Sequence, residues 1–106
     1  MIRLRVLPRA DADVDEAASS YAEEASLDVA LRFLGAVEQA YDFIRTNPLA
    51  GSPGRYGSER LEGVRRWPVH GFPSHLVFYR LAGEWVEVLR VLHGARDIES
   101  LFESEE

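Results

Sequence analysis

The 106-residue chain contains no cysteine. Disulfides, thiolate metal sites and cysteine nucleophiles are excluded with it. It contains no lysine either, and all 12 basic residues are arginine. No apolar run reaches the length of a membrane span. No charged-then-apolar N-terminal stretch suggests export. A cytoplasmic protein with no membrane partner is therefore expected. Internal repeats are absent, and so are a Gly-x-Ser-x-Gly nucleophile elbow and a phosphate-cradling glycine loop. The three histidines, His70, His75 and His93, lack the spacing of a metal site, so neither metal nor cofactor is expected.

What is present describes an ordinary globular chain. Hydrophobic residues make up 46% and charged residues 28%, a balance that supports one packed core rather than disorder. The length suits a single domain over residues 1–106. The net charge of -6 argues against a simple basic nucleic-acid binder. That charge is unevenly spread. Residues 11–50 are net -7, residues 51–98 are net +2, and residues 99–106 add four acids. Arginine's planar fork suits bidentate contacts with carboxylate or phosphate.

Ile2 to Leu7 alternates apolar and polar, the signature of a half-buried strand that Pro8 should end. Asp11 is the expected N-cap of a first helix, with Asp13, Asp15 and Glu16 placed favourably for its dipole. Val14, Ala17, Ala18, Tyr21, Ala22 and Ala25 form a stripe of small residues along it. Ser26 should cap a second helix whose apolar face includes Phe33, Val37 and Ile44, and Asn47-Pro48 should stop it. A proline- and glycine-rich loop follows over residues 47–60. The period then changes to two. Strands are expected at 64–69, 75–81 and 85–93, joined by short turns into an antiparallel meander. The expected fold class is α+β: an N-terminal strand, an antiparallel two-helix hairpin, a three-stranded antiparallel meander, and a short C-terminal helix capped by Asp97.

Chemistry is concentrated on the meander. Arg65, Arg66, His75, Arg80, Arg90, His93 and Arg96 include bases, acids and cations in alternating positions. Cleavage of RNA through its 2′-hydroxyl needs a proton acceptor, a proton donor and a cation for the developing charge, and this set contains all three types. The same arginines also suit pairing with acidic residues, within the chain or on a partner.

Several segments together carry a family resemblance. They are Pro8-Arg9-Ala10, the acidic helical hairpin, Asn47-Pro48-Leu49-Ala50-Gly51, and Arg66-x-x-Val69-x-Gly71-Phe72-x-x-His75-Leu76-Val77-Phe78-Tyr79-Arg80. The last is Val91-Leu92-His93-Gly94-Ala95-Arg96-Asp97. In order and spacing the chain resembles the RelE/ParE superfamily of type II toxins, and is closer to the ParE branch. The resemblance implies a bacterial toxin held in a hetero-oligomer by a cognate, ParD-like antitoxin. ParE-like toxins inhibit DNA gyrase without hydrolytic activity, whereas RelE-like toxins cut messenger RNA in the ribosome. A degenerate toxin that keeps only antitoxin binding is a third reading. If the chain were a nuclease, the resemblance would assign catalysis to Arg66, His75 and Arg96. Against the nuclease pattern, Pro68 and His75 stand where basic residues are usual, and Phe102 stands where tyrosine is common. Arg65, Arg66, Arg90, His93 and Arg96 are the candidates for target contact. Val14, Ala18, Tyr21, Phe33 and Arg80 are those for antitoxin contact, in a groove beside the small-residue stripe.

Overall fold

The computed structural model describes residues 1–57 and 59–94. Strand β1 (Arg3–Val6) leads directly into helix α1 (Pro8–Glu24). Pro8 therefore opens the helix as well as closing the strand. Its fixed φ suits the first helical turn, where its missing N–H has no partner to lose. Leu7 occupies the N-cap position without a side-chain hydrogen bond, so Asp11 lies one turn inside the helix and not at its cap. Helix α2 (Leu27–Thr46) follows after Ala25 and Ser26. Here the expected cap is present: Ser26 Oγ accepts from the Val29 N–H at 3.1 Å. The Asn47 amide donates back to the Phe43 carbonyl and closes the other end.

The remaining chain forms β2 (Ser52–Pro53), a 3-10 turn at Glu59–Leu61, β3 (Arg65–Val69), β4 (Phe72–Ala82) and β5 (Trp85–His93). The sheet has five strands in the order β1-β5-β4-β3-β2. The three-stranded meander is its centre, as expected. The full sheet is mixed, because β1 joins β5 in parallel and β2 adds a two-residue antiparallel edge. Gly71 (φ 85°) and Gly83 (φ 63°) sit in the two tight turns of the meander, a backbone region that favours glycine. The expected C-terminal helix falls outside the described residues.

The helical hairpin covers one face of the sheet. Phe33, Val37 and Ile44 of α2 meet Val77, Tyr79, Val86, Val88 and Val91 in the main core. The opposite face carries a smaller cluster of Leu61, Val64, Phe78 and Leu92, with Tyr56 packed against it. The turn-rich loop thus has its own apolar anchor on the sheet.

Strict alternation fails in two places, one of them between Pro68 and Val69 in the β3–β4 pair. The β4–β5 register shifts between Phe78 and Tyr79, which leaves Leu89 as an extra residue on β5. Upstream, Val86 and Val88 face the hairpin; downstream, Val91 does. Unbroken period-two alternation would put Leu92 on the face of Val86 and Val88, but it packs instead in the smaller cluster.

Candidate functional site

Two faces of one sheet separate the residues that the sequence placed together. Arg66 lies opposite Phe78 across β3 and β4, on the face turned away from the helices. It is exposed. His75 lies on the other face, 8% exposed, beneath the helical hairpin. Its ring packs within 5.7 Å of the rings of Tyr21 and Phe33. The Tyr21 hydroxyl and His75 Nδ1 are 3.2 Å apart, within hydrogen-bond distance. The sheet thus runs between Arg66 and His75. Arg96, the third member of the nuclease set, lies outside the described residues.

A cleft of about 430 Å3 opens between α1, the N-terminal part of β4 and the C-terminal end of β5. His75 and His93 form its floor, with ring centroids 5.6 Å apart. Glu16, Ser20 and Glu24 of α1 form its rim. Imidazole nitrogens can donate or accept hydrogen bonds. The carboxylate rim, however, repels a phosphate backbone, and phosphate contacts dominate RNA affinity. Arg90 also lines the cleft, but Asp13 neutralises it.

The Arg90–Asp13 contact is a buried, two-pronged ion pair. Arg90 Nε and Nη2 donate to the two carboxylate oxygens of Asp13 at 2.7 and 2.9 Å. The Val91 N–H donates to the same carboxylate at 3.0 Å. The β5 bulge makes this possible, because consecutive residues both address α1. Asp13 also takes over the edge of β5 where β1 has ended. Sequence reasoning assigned Asp13 to the helix dipole, and nothing in the local pattern links it to a residue 77 positions away.

The other arginines divide similarly. Arg65 donates to the carbonyls of Leu49 and Gly51, fixing the loop that follows α2. Tyr79 completes this clamp: its hydroxyl donates to the Pro48 carbonyl and accepts from the Gly51 N–H, both at 2.9 Å. A Cβ on Gly51 would lie 2.5 Å from that hydroxyl, which explains the glycine of Asn47-Pro48-Leu49-Ala50-Gly51. Arg80 donates to the Arg60 carbonyl at 2.6 Å. Arg5 pairs with Glu87 and lies 4.2 Å over the Trp85 ring.

Of the five residues expected to meet an antitoxin, two are buried and three are half-buried. Phe33 is fully buried and Val14 is 9% exposed, both in the main core. Ala18 and Tyr21 are half-buried at its margin, and Arg80 is half-buried on the sheet. Tyr41 is a polar group that sequence reasoning missed. Among the described residues its buried hydroxyl has no hydrogen-bond partner. Burial, with Asp11, Asp13 and Glu38 nearby, pushes its pKa well above the usual tyrosine range.

Among the described residues no three His, Asp or Glu side chains are placed to share a metal ion. No described helix is long and apolar enough to cross a membrane. The model of the ParE toxin of the type II toxin–antitoxin system parDE matches residues 4–98. The chain belongs to the ParE toxin family. A solved structure described as the chromosomal ParDE TA system from P. aeruginosa has the same fold. Its TM-score is 0.74 at 21% identity, over 88% of this chain and 96% of that one. No curated protein sequence matches the chain. The ParE match spans β1 through β5 and includes both the Pro48–Gly51 clamp and the Asp13–Arg90 pair.

Proposed function

We propose that this ParE-family toxin stops growth by binding rather than by hydrolysis. Its target in this reading is DNA gyrase, it acts in the cytoplasm, and a ParD-like antitoxin neutralises it in a hetero-oligomeric complex. The observation that carries the non-hydrolytic part is the placement of Arg66 and His75 on opposite faces of the sheet. A nuclease needs its base, acid and cation within hydrogen-bond reach of one phosphodiester. One layer of sheet backbone stands between these two groups, with Val77 packed on one face and Phe78 on the other. The acidic rim of the His75–His93 cleft adds a second obstacle to RNA.

The test is gyrase supercoiling with the purified toxin titrated in, with and without the product of the neighbouring gene. Dose-dependent inhibition relieved by that product is the expected result. Unaffected supercoiling from a protein that still arrests growth would overturn the gyrase assignment and redirect the search to ribosome-bound RNA. Harmless expression without any antitoxin would favour a degenerate toxin that retains only antitoxin binding.

A further inference from the structure

The net charge of -6 is divided between two sides of the fold. The helical hairpin lies within residues 11–50 for most of its length, a stretch that is net -7. The outer face of the sheet has the opposite sign. Leu4 and Val6 of β1 pack against the main core, so Arg3 and Arg5 project to the other side. Alternation puts Trp85 and Glu87 of β5, Arg80 of β4 and Arg66 of β3 on that side too, around the smaller cluster. Four arginines thus share this face with one strand carboxylate, Glu87, and with Glu84 in the β4–β5 turn.

Arg3 and Arg5 are exposed but held in place. Their guanidinium carbons lie 5.6 and 4.2 Å over the Trp85 ring, which keeps both cations on the face. Glu87 pairs with Arg5 at 2.8 Å and also stands opposite Arg80 in the register, so one carboxylate serves two cations. Arg80 donates to the Arg60 carbonyl, which uses a donor and leaves the charge. Arg3 and Arg66 form no ion pair among the described residues. β1 and β3 are three strand steps apart, about 14 Å, so the surplus charge is spread over the face and not focused on one point.

We propose that this outer face docks the phosphate backbone of duplex DNA. This deepens the gyrase reading and rests on it for the source of the DNA, which is gyrase's own substrate. A duplex carries about one charge per 1.7 Å of its axis, so separated guanidiniums each meet a phosphate on a partner that is already ordered. Acidic side chains of a polypeptide would have to be ordered to match the same spacing, at an entropic cost. A five-stranded face is too broad for the major groove, which admits a helix or a two-stranded ribbon. The contacts therefore fall on phosphates and carry no sequence preference. The acids of the hairpin lie beyond the sheet, about a helix diameter of 10 Å further away. At 0.1 M salt that is about one Debye length, so their repulsion is largely screened at this face.

The test measures binding of the full-length toxin to a fluorescent DNA duplex, without gyrase, at about 100 and 300 mM salt. Two or three neutralised phosphates predict an affinity that falls about seven- to twentyfold between those salts. Arg3→Glu with Arg66→Glu should bind at least about tenfold more weakly at the lower salt, and Arg3→Gln with Arg66→Gln should lose less. Arg9→Glu with Arg32→Glu makes the same change in net charge on the helices and should stay within about threefold. All four positions are exposed, so thermal melting should match the natural chain and exclude misfolding. Absence of binding by the natural chain, or equal weakening by the sheet and helix variants, overturns the proposal and leaves Arg3 and Arg5 as charges that guard a sheet edge. Tighter binding to an RNA of equal charge overturns the choice of DNA. Supercoiling assays on the same preparations keep the two readings apart. Inhibition by a natural chain that does not bind duplex overturns only the DNA face, and duplex binding without inhibition overturns only the gyrase assignment.

Discussion

Asp13 and Arg90 meet across 77 residues in a two-pronged contact that is almost closed to solvent, with side-chain exposures of 11% and 6%. A buried pair of this kind adds little net stability compared with an apolar replacement, but breaking it strands a charge. Asp13→Ala should therefore cost about 3–5 kcal/mol. It also removes the acceptor for the Val91 N–H. Replacing both partners, as Asp13→Leu with Arg90→Met, should cost much less than Asp13→Ala alone. Urea unfolding of the three chains measures this, and equal losses in the single and double variants would refute it.

Tyr79 and Gly51 form the second long-range lock. Tyr79→Phe leaves the Pro48 carbonyl and the Gly51 N–H without their partner, at a cost of about 1–3 kcal/mol. Gly51→Ala should also destabilise, because its Cβ would meet both the Tyr79 hydroxyl and the Arg66 carbonyl, the latter at 2.9 Å. Backbone on one side and a buried ring on the other leave little room to relax. Thermal melts of the two variants decide it, and a Gly51→Ala chain as stable as the natural one would contradict this geometry.

Tyr41 gives a pH dependence with a definite sign. Its pKa in the fold lies above the usual value near 10, chiefly through burial. Below pH 10 the hydroxyl is protonated whether the chain is folded or not, and it contributes no pH dependence. Above pH 10 the unfolded chain loses the proton more readily, so stability falls as pH rises. Each such tyrosine contributes at most about 1.4 kcal/mol per pH unit. Tyr79, also raised by burial, adds in the same direction. Tyr41→Phe should flatten the loss between pH 10 and 11. It should cost little at pH 7, because the hydroxyl has no partner to lose among the described residues. An unchanged alkaline slope in the variant would exclude Tyr41 as its source.

Much of this fold was legible where one local signal decided the outcome. The limits of β5, Trp85–His93, follow from alternation bounded by a glycine turn and Gly94. Ser26 was legible as a cap because a serine before an apolar-periodic run has one dominant use. Pro8 was harder, since proline both ends strands and begins helices, and only the position of α1 decides between them. The bulge at Leu89 left no mark on the sequence, because it arises from pairing with β4. It nevertheless alters the site most, by moving Leu92 away from the main core and bringing Arg90 to Asp13. The separation of Arg66 from His75 was hidden for a related reason. An odd and an even residue on different strands share a face only when the register is known.

Arg66 offers the cleanest functional variant among the target-contact candidates. It is exposed on the face away from the hairpin, opposite buried Phe78. Arg66→Ala should therefore change folding stability by no more than about 0.5 kcal/mol. If the outer face of β3 meets the target, loss of an exposed guanidinium at its centre should weaken gyrase inhibition by about tenfold or more. Affinity for the antitoxin should stay within about twofold, because the candidates for its contact on the helical hairpin lie on the opposite side of the sheet. Supercoiling inhibition, antitoxin binding and thermal melting on the same preparation separate these outcomes. Full inhibitory potency in Arg66→Ala would remove the outer face of β3 from the target-binding surface. Equal loss of both affinities with an unchanged melt would place antitoxin and target on one shared face.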